Sequence, residues 1–278
     1  MIKLENYEVM GWEHAIRGMR NPMNSWEKSD STYNSILDEI TDECVCFEYS
    51  IGPNDHELMM KLAKAGPVHG KFRRMITVYV DVTAPLYWWK EFDTYKVGTV
   101  ANSCSTMHKI HSKHFTIDDF SYEHLMSDTG ADESDVPLIC VPNHYNESLD
   151  PMNVLSITIH MLNAARIKYL ETKDKKYWWQ MIQLLPSSYN QKRTVQLNYE
   201  VLANIYQYRK DHKLDEWREF CEWIEQLPYS EIITGEVEIH NESPVISSKG
   251  SGPNGIVRPQ KDIDKDRKLR EKVENANV

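Results

Sequence analysis

Three histidines recur every third residue in the stretch from His108 through His111 to His114. On a helix such imidazoles drift across one side, and zinc would need other spacing or a ligand from another segment. Surface or anion-facing histidines are therefore the plainer expectation. Just upstream, residues 91–108 (EFDTYKVGTVANSCSTMH) consist mostly of side chains that hydrogen-bond, with backbone laid open at Gly98. Such a stretch is a common place for a binding loop, and equally a polar surface loop. A third constellation is Asn198, Arg209 and Glu216. One long helix from about Val195 to Leu227 puts all three near the middle of an apolar face formed by Val201, Leu202, Ile205, Trp217, Phe220 and Ile224. A buried guanidinium must meet an anion. Arg209 is thus expected to face either an internal carboxylate such as Glu216 or a ligand phosphate. No GxGxxG, Walker A, HExxH or GxSxG pattern occurs, which leaves the standard nucleotide loops and triad hydrolysis without support.

Composition narrows the partners. The chain has 278 residues, 41% apolar and 27% charged, an ordinary globular balance. Thirty-two Lys and Arg against 42 Asp and Glu leave a net charge of −10. That argues against binding nucleic acid by general attraction, and any phosphate-bearing ligand must find a locally basic site. The five cysteines are odd in number and include no CxxC pair. With no apolar leader and no run of about 18 apolar residues, the expectation is reduced thiols in a cytoplasmic, non-membrane protein. Eight Trp and fifteen Tyr in a chain of mean hydropathy −0.59 point to aromatics gathered in a core or pocket.

The elements that must hold these residues follow from periodicity. Residues 75–83 alternate Ile76, Val78, Val80 and Val82 with polar partners, a half-buried strand ended by Ala84-Pro85. An aromatic helix or turn follows over 86–92. Residues 55–65 read as a helix with Asp55 as N-cap, 35–40 as a short helix and 44–51 as a strand. The acidic, irregular stretch 115–149 reads as a long loop or insertion. Helices are predicted over 152–170, with Pro151 in the first turn, and from about Trp178 to Leu185. From residue 241 onward Ser, Gly, Asn, Pro and alternating charges read as a flexible tail. Residues 1–240 read as one domain with the 115–149 insertion, followed by the 241–278 tail.

The order of features resembles the flavin-dependent thymidylate synthases. His14-Ala-Ile-Arg17 looks like the family's AAR element, and 66–72 (GPVHGKF) occupies the place of its GH-x-SPFE turn. The 75–83 strand runs into Ala84-Pro85. Residues 95–108 lie over the RHRxxSxNExSxRY signature, 184–186 match a helix ending in LP, and Asn198 with Arg209 keeps a family spacing of eleven. The resemblance covers roughly residues 8–228. It implies an α/β (α+β) fold class, an antiparallel or mixed sheet flanked by long helices, with 1–240 as the catalytic domain. It also implies an enzyme that binds FAD and methylates dUMP to dTMP with methylenetetrahydrofolate and NADPH, as a homotetramer with sites between subunits. It further implies Ser105 polarising the uracil ring, Arg209, Asn102 and Ser103 at the substrate, and His69, Lys96, Asn198, Asn204 and Arg17 at the flavin. The chain departs from the pattern at Tyr95-Lys96-Val97, where the RHR triplet stands, and at Val100, Ser103 and Met107-His108. Lys96, His108, Arg74 and Arg193 are candidate replacement charges. Another pyrimidine nucleotide as substrate, or a non-catalytic nucleotide-binding homologue, are the alternatives.

Overall fold

The computed structural model describes residues 2–37, 44–127, 139–140, 148–235 and 247–248. In chain order the elements are β1 (Lys3–Met10), α1 (Trp12–Arg20), β2 (Thr32–Leu37), β3 (Cys44–Ser50), α2 (Pro53–Lys64), β4 (Thr77–Pro85), α3 (Leu86–Phe92) and β5 (Val100–Ser103). They continue with β6 (Ile139–Cys140), β7 (Ser148–Leu149), α4 (Pro151–Thr172), α5 (Lys175–Leu184), β8 (Asn190–Asn198), α6 (Tyr199–Arg209), α7 (Asp215–Glu225), α8 (Glu231–Thr234) and β9 (Ser247–Ser248). One sheet has the order β1-β4-β8-β5 and a second the order β2-β3-β9. The mixture of helix and sheet agrees with the expected fold class.

The chain forms two compact units: Met1–Lys3, Thr83–Thr94 and Asn102–Arg193 in one, Leu4–Val82, Tyr95–Ala101 and Thr194–Val278 in the other. In the larger unit β4 alternates as its sequence requires, with Ile76, Val78, Val80 and Val82 buried. α1 begins at Gly11, whose φ of +97° and near contact with the Met75 carbonyl leave no room for a Cβ. Trp12 packs edge-on against both Tyr199 and Tyr229, and Tyr199 donates its hydroxyl to the Pro228 carbonyl at 2.6 Å.

In the smaller unit the aromatic residues 86–92 do form α3, with Trp88 and Trp89 fully buried and Trp88 stacked on Phe92. Trp89 donates to the Gln191 carbonyl. α4 starts at Pro151 under an Asp150 cap that accepts the Asn153 N–H. It packs with α5 over Phe115, Phe120, Leu155, Leu162 and Met181. The Asn163 amide, on α4, bonds both the N–H and the C=O of Phe115. The beginning of the expected 115–149 insertion is therefore core: Phe115 and Phe120 are 1% exposed. Residues 128–138 and 141–147 lie outside the described residues.

Three other expectations change. The expected single helix over 195–227 is a strand end and two helices, because Val195 and Leu197 alternate inward on β8 while Asn198 caps α6 and the polar 210–214 stretch breaks the helix before α7. Residues 32–37 form a strand paired antiparallel with β3, from Thr32 opposite Ser50 onward, where a helix was expected over 35–40. Pairing across the chain overrides a weak local preference. Asp55 lies inside the first turn of α2, whose cap is Gly52, and is fully buried. Of the expected 241–278 tail, Ser247–Ser248 pairs with Phe47 and Glu48 of β3, and the remainder lies outside the described residues.

Candidate functional site

The larger unit contains a cavity of about 790 Å³. One wall is α6. Glu200, Asn204 and Tyr208 are spaced by four residues, so they form one stripe along the helix, and all three line the cavity. The buried residues Leu202 and Ile205, which do not line the cavity, anchor the helix in the core. Asn198 fixes where the stripe begins. Its Oδ1 accepts the Val201 N–H at 3.1 Å, an N-cap. Gly66 and Pro67 after α2, Arg73 and Arg74 before β4, and Val97 and Gly98 also line it. Gly98 has φ +78°, and a Cβ there would lie 2.8 Å from Asn198 Nδ2, so only glycine lets the loop approach the cap.

The cavity is locally basic in a chain of net charge −10. Arg73, Arg74 and Lys210 line it against one carboxylate, Glu200. Arg73 is bound on three sides: Nε and Nη2 meet Glu200 Oε2 at 3.0 and 2.8 Å, and Nη1 donates to the Ile232 carbonyl. Arg74 reaches Glu200 Oε1 only at 4.0 Å, and its side chain is 61% exposed. The Lys210 ammonium lies 5.8 Å over the Tyr206 ring.

A second cavity of about 420 Å³ lies in the same unit, lined by Glu13, Arg17, Trp26, Tyr33 and Tyr49 among others. Tyr33 donates to Glu13 at 3.1 Å. Burial, then that carboxylate, pushes its phenol up to about 12. Beside this cavity Arg20 and Asp55 form a buried pair at 2.5 Å. Asp55 also accepts from Ser29, Asp30 and Ser31. Burial pushes the Asp55 carboxyl up, but the hydrogen bonds from Ser29, Ser31 and Arg20 outweigh it and hold the group below the usual carboxylate range.

Of the residues singled out by sequence, Asn198 and Asn204 line the larger cavity and Arg17 the smaller, where it pairs loosely with Glu13 at 3.9 Å. His69 and Lys96 are exposed and line neither. Arg209 also lines neither. It is half-buried at the end of α6, donating to the Tyr95 hydroxyl at 3.0 Å with its guanidinium 4.8 Å from the Trp217 ring centre. The shared apolar face that joined it to Asn198 and Glu216 does not exist, since the three residues belong to different elements. Asn102, Ser103 and Ser105 belong to the smaller unit and are exposed; Ser105 Oγ accepts the N–H groups of Met107 and His108. Among the candidate replacement charges, Arg74 lines the cavity, whereas Arg193 is engaged with Asp93 and Gln191 and stacks on Trp89. Among the described residues no cluster of three or more His, Cys, Asp or Glu could hold a metal, and no helix is long and apolar enough to cross a membrane.

Sequence reasoning missed Arg73, Glu200 and Lys210. The tandem Arg73-Arg74 before an apolar strand was the available signal. Glu200 and Lys210 had none, because what makes them matter is the cavity.

No protein-family model and no curated protein matches the sequence. Solved structures do. Thymidylate synthase X from Helicobacter pylori with FAD and dUMP aligns with a TM-score of 0.52 at 15% identity, over 84% of this chain and 96% of that one. A second Helicobacter pylori ThyX complex with FAD and dUMP gives 0.50 at 16% identity, over 84% and 97%. A UMP/dUMP methylase, PolB, from Streptomyces cacaoi bound with 5-Br UMP gives 0.49 at 11%, over 84% and 94%. The architecture that carries the basic cavity is thus the one seen in thymidylate synthase X, and this chain has the ThyX fold.

Proposed function

We propose that the chain is a flavin-dependent enzyme acting on a pyrimidine nucleotide, and that its reaction is the reductive methylation of dUMP to dTMP with methylenetetrahydrofolate and NADPH. The observation that carries this reading is a basic cavity of about 790 Å³ within a ThyX fold, in an otherwise acidic chain. That volume lies toward the upper end of ordinary ligand pockets. Its donor set of amide and guanidinium groups fits a nucleotide-bearing anion such as FAD. When bound, FAD would carry the reducing equivalents that the methylation consumes.

The protein's part is to bind, orient and polarise. Asn198 and Asn204 line the flavin's cavity. Asn198 spends its carbonyl on the helix cap and keeps its NH2 toward Gly98 and the ligand. Ser105 receives two backbone N–H groups on its oxygen, so its hydroxyl proton is left to donate to a uracil carbonyl. Arg209, Asn102 and Ser103 bind the nucleotide, and His69, Lys96 and Arg17 extend the flavin contacts. In a homotetramer, exposed residues such as Ser105 complete the cavity of a neighbouring subunit.

Purified protein tests the reading. A yellow preparation, or apoprotein that turns yellow with FAD, supports it; a colourless protein that FAD does not reconstitute overturns it. Growth of a thymidine-requiring bacterium on expression supports thymidylate synthesis. A soluble flavoprotein that gives no growth rejects dTMP formation and leaves another pyrimidine nucleotide as substrate. Light scattering of the eluted protein decides the tetramer.

A further inference from the structure

We propose that Arg74 grips the phosphate of the ligand held in the larger cavity, an inference that rests on the nucleotide-binding function proposed above. The charged groups there are not equivalent. Arg73 has Nε and both terminal nitrogens in use, on Glu200 and the Ile232 carbonyl, so it braces the wall and has little left for a ligand. The same Glu200 oxygen that holds Arg73 is unavailable to Arg74. Arg74 meets the other oxygen only at 4.0 Å, beyond hydrogen-bond length, and an exposed pair of that kind contributes little. Exchanging it for a phosphate gains charge-assisted, bidentate hydrogen bonds at small cost. Lys210, the C-cap of α6, stands ten residues beyond Glu200, about 15 Å along the axis, so it serves the far end of the cavity. Asn198 Nδ2 is the second donor, because its partner oxygen is committed to the Val201 N–H.

Arg74 thereby supplies a guanidinium that the Tyr95-Lys96-Val97 segment lacks. Its neighbour Arg73 makes this possible. Tied down at three points, Arg73 fixes the backbone from which Arg74 projects, and it offsets the charge of Glu200 that would repel an anion.

Calorimetric titration of wild type, Arg74→Ala and Arg74→Lys with FAD, riboflavin, dUMP and deoxyuridine tests this, with the unfolding midpoint as a control for structure. Arg74→Ala is expected to weaken a phosphate-bearing ligand by about tenfold or more and to leave its phosphate-free counterpart unchanged. Arg74→Lys should recover part of the loss, since it keeps charge but not the fork. A loss confined to FAD assigns the flavin diphosphate; a loss confined to dUMP assigns the substrate phosphate; either supports the proposal. Equal losses for ligands with and without phosphate, or no loss for any, overturn it. If wild type binds dUMP but neither flavin, the flavin function falls, and Arg74 is judged on dUMP against deoxyuridine alone. Wild type that binds none of the four overturns both.

Discussion

Replacing Gly98 with alanine strikes at the contact between the loop and the helix cap. At φ +78° an L side chain is strained by about 1 kcal/mol. The new Cβ would also lie 2.8 Å from Asn198 Nδ2 and 3.3 Å from Val201 Cγ2. The Asn198 amide is a side-chain end and can turn away. The same amide, however, holds the Val201 N–H at 3.1 Å, and losing an N-cap bond costs about 1 kcal/mol. The two effects together give about 2 kcal/mol, roughly a thirtyfold change in the folding equilibrium. Urea unfolding should show it as a lowered midpoint at unchanged slope. Asn198→Ala alone should cost about 1 kcal/mol. The double variant should cost less than the sum by about 1 kcal/mol, because the clash and the cap involve one amide. A Gly98→Ala cost below about 0.5 kcal/mol, or strict additivity in the double variant, would refute the reasoning.

Asp55→Ala strands the buried Arg20 guanidinium and should cost about 3–5 kcal/mol by denaturant titration, whereas replacing both partners with apolar residues should cost less. Because the folded-state Asp55 carboxyl is held below its unfolded value, its contribution is complete above that unfolded value and is lost as pH falls through the folded one. Stability measured between pH 6 and pH 3 should therefore drop more steeply for wild type than for Asp55→Ala. Asn163→Leu leaves the N–H and C=O of Phe115 unpaired in the core of the smaller unit and should cost about 2–4 kcal/mol. A stable Asn163→Leu protein would mean that water reaches those groups.

Elements with a strong local signal were legible. The alternation of Ile76, Val78, Val80 and Val82 specified β4, and Pro151 marked the start of α4. The 195–227 stretch misled because Val195 and Leu197, inward on a strand, also continue the apolar period of the following helix, so Asn198 looked like a buried polar residue when it is a cap. β2 was illegible as a strand, since its evidence is β3, which pairs with it residue by residue. At the cavity, Asn204 was found through the resemblance, and Asn198 through both its helical spacing and the resemblance. The pair of Arg73 and Glu200 was not, because 127 residues separate them along the chain.

By itself the sequence determined the periodic elements and the charge deficit that sends any phosphate to a local basic site. Both depend only on residue type and spacing. Which cation stands ready there was decided by the tertiary structure alone. Arg73, Arg74 and Arg193 are equal in sequence, yet Glu200 and a carbonyl engage the first, and Asp93 and Trp89 the third. A guanidinium is available to a ligand only where nothing nearer has satisfied its donors. Among the described residues, Arg74 meets that condition across the 4.0 Å left between it and Glu200.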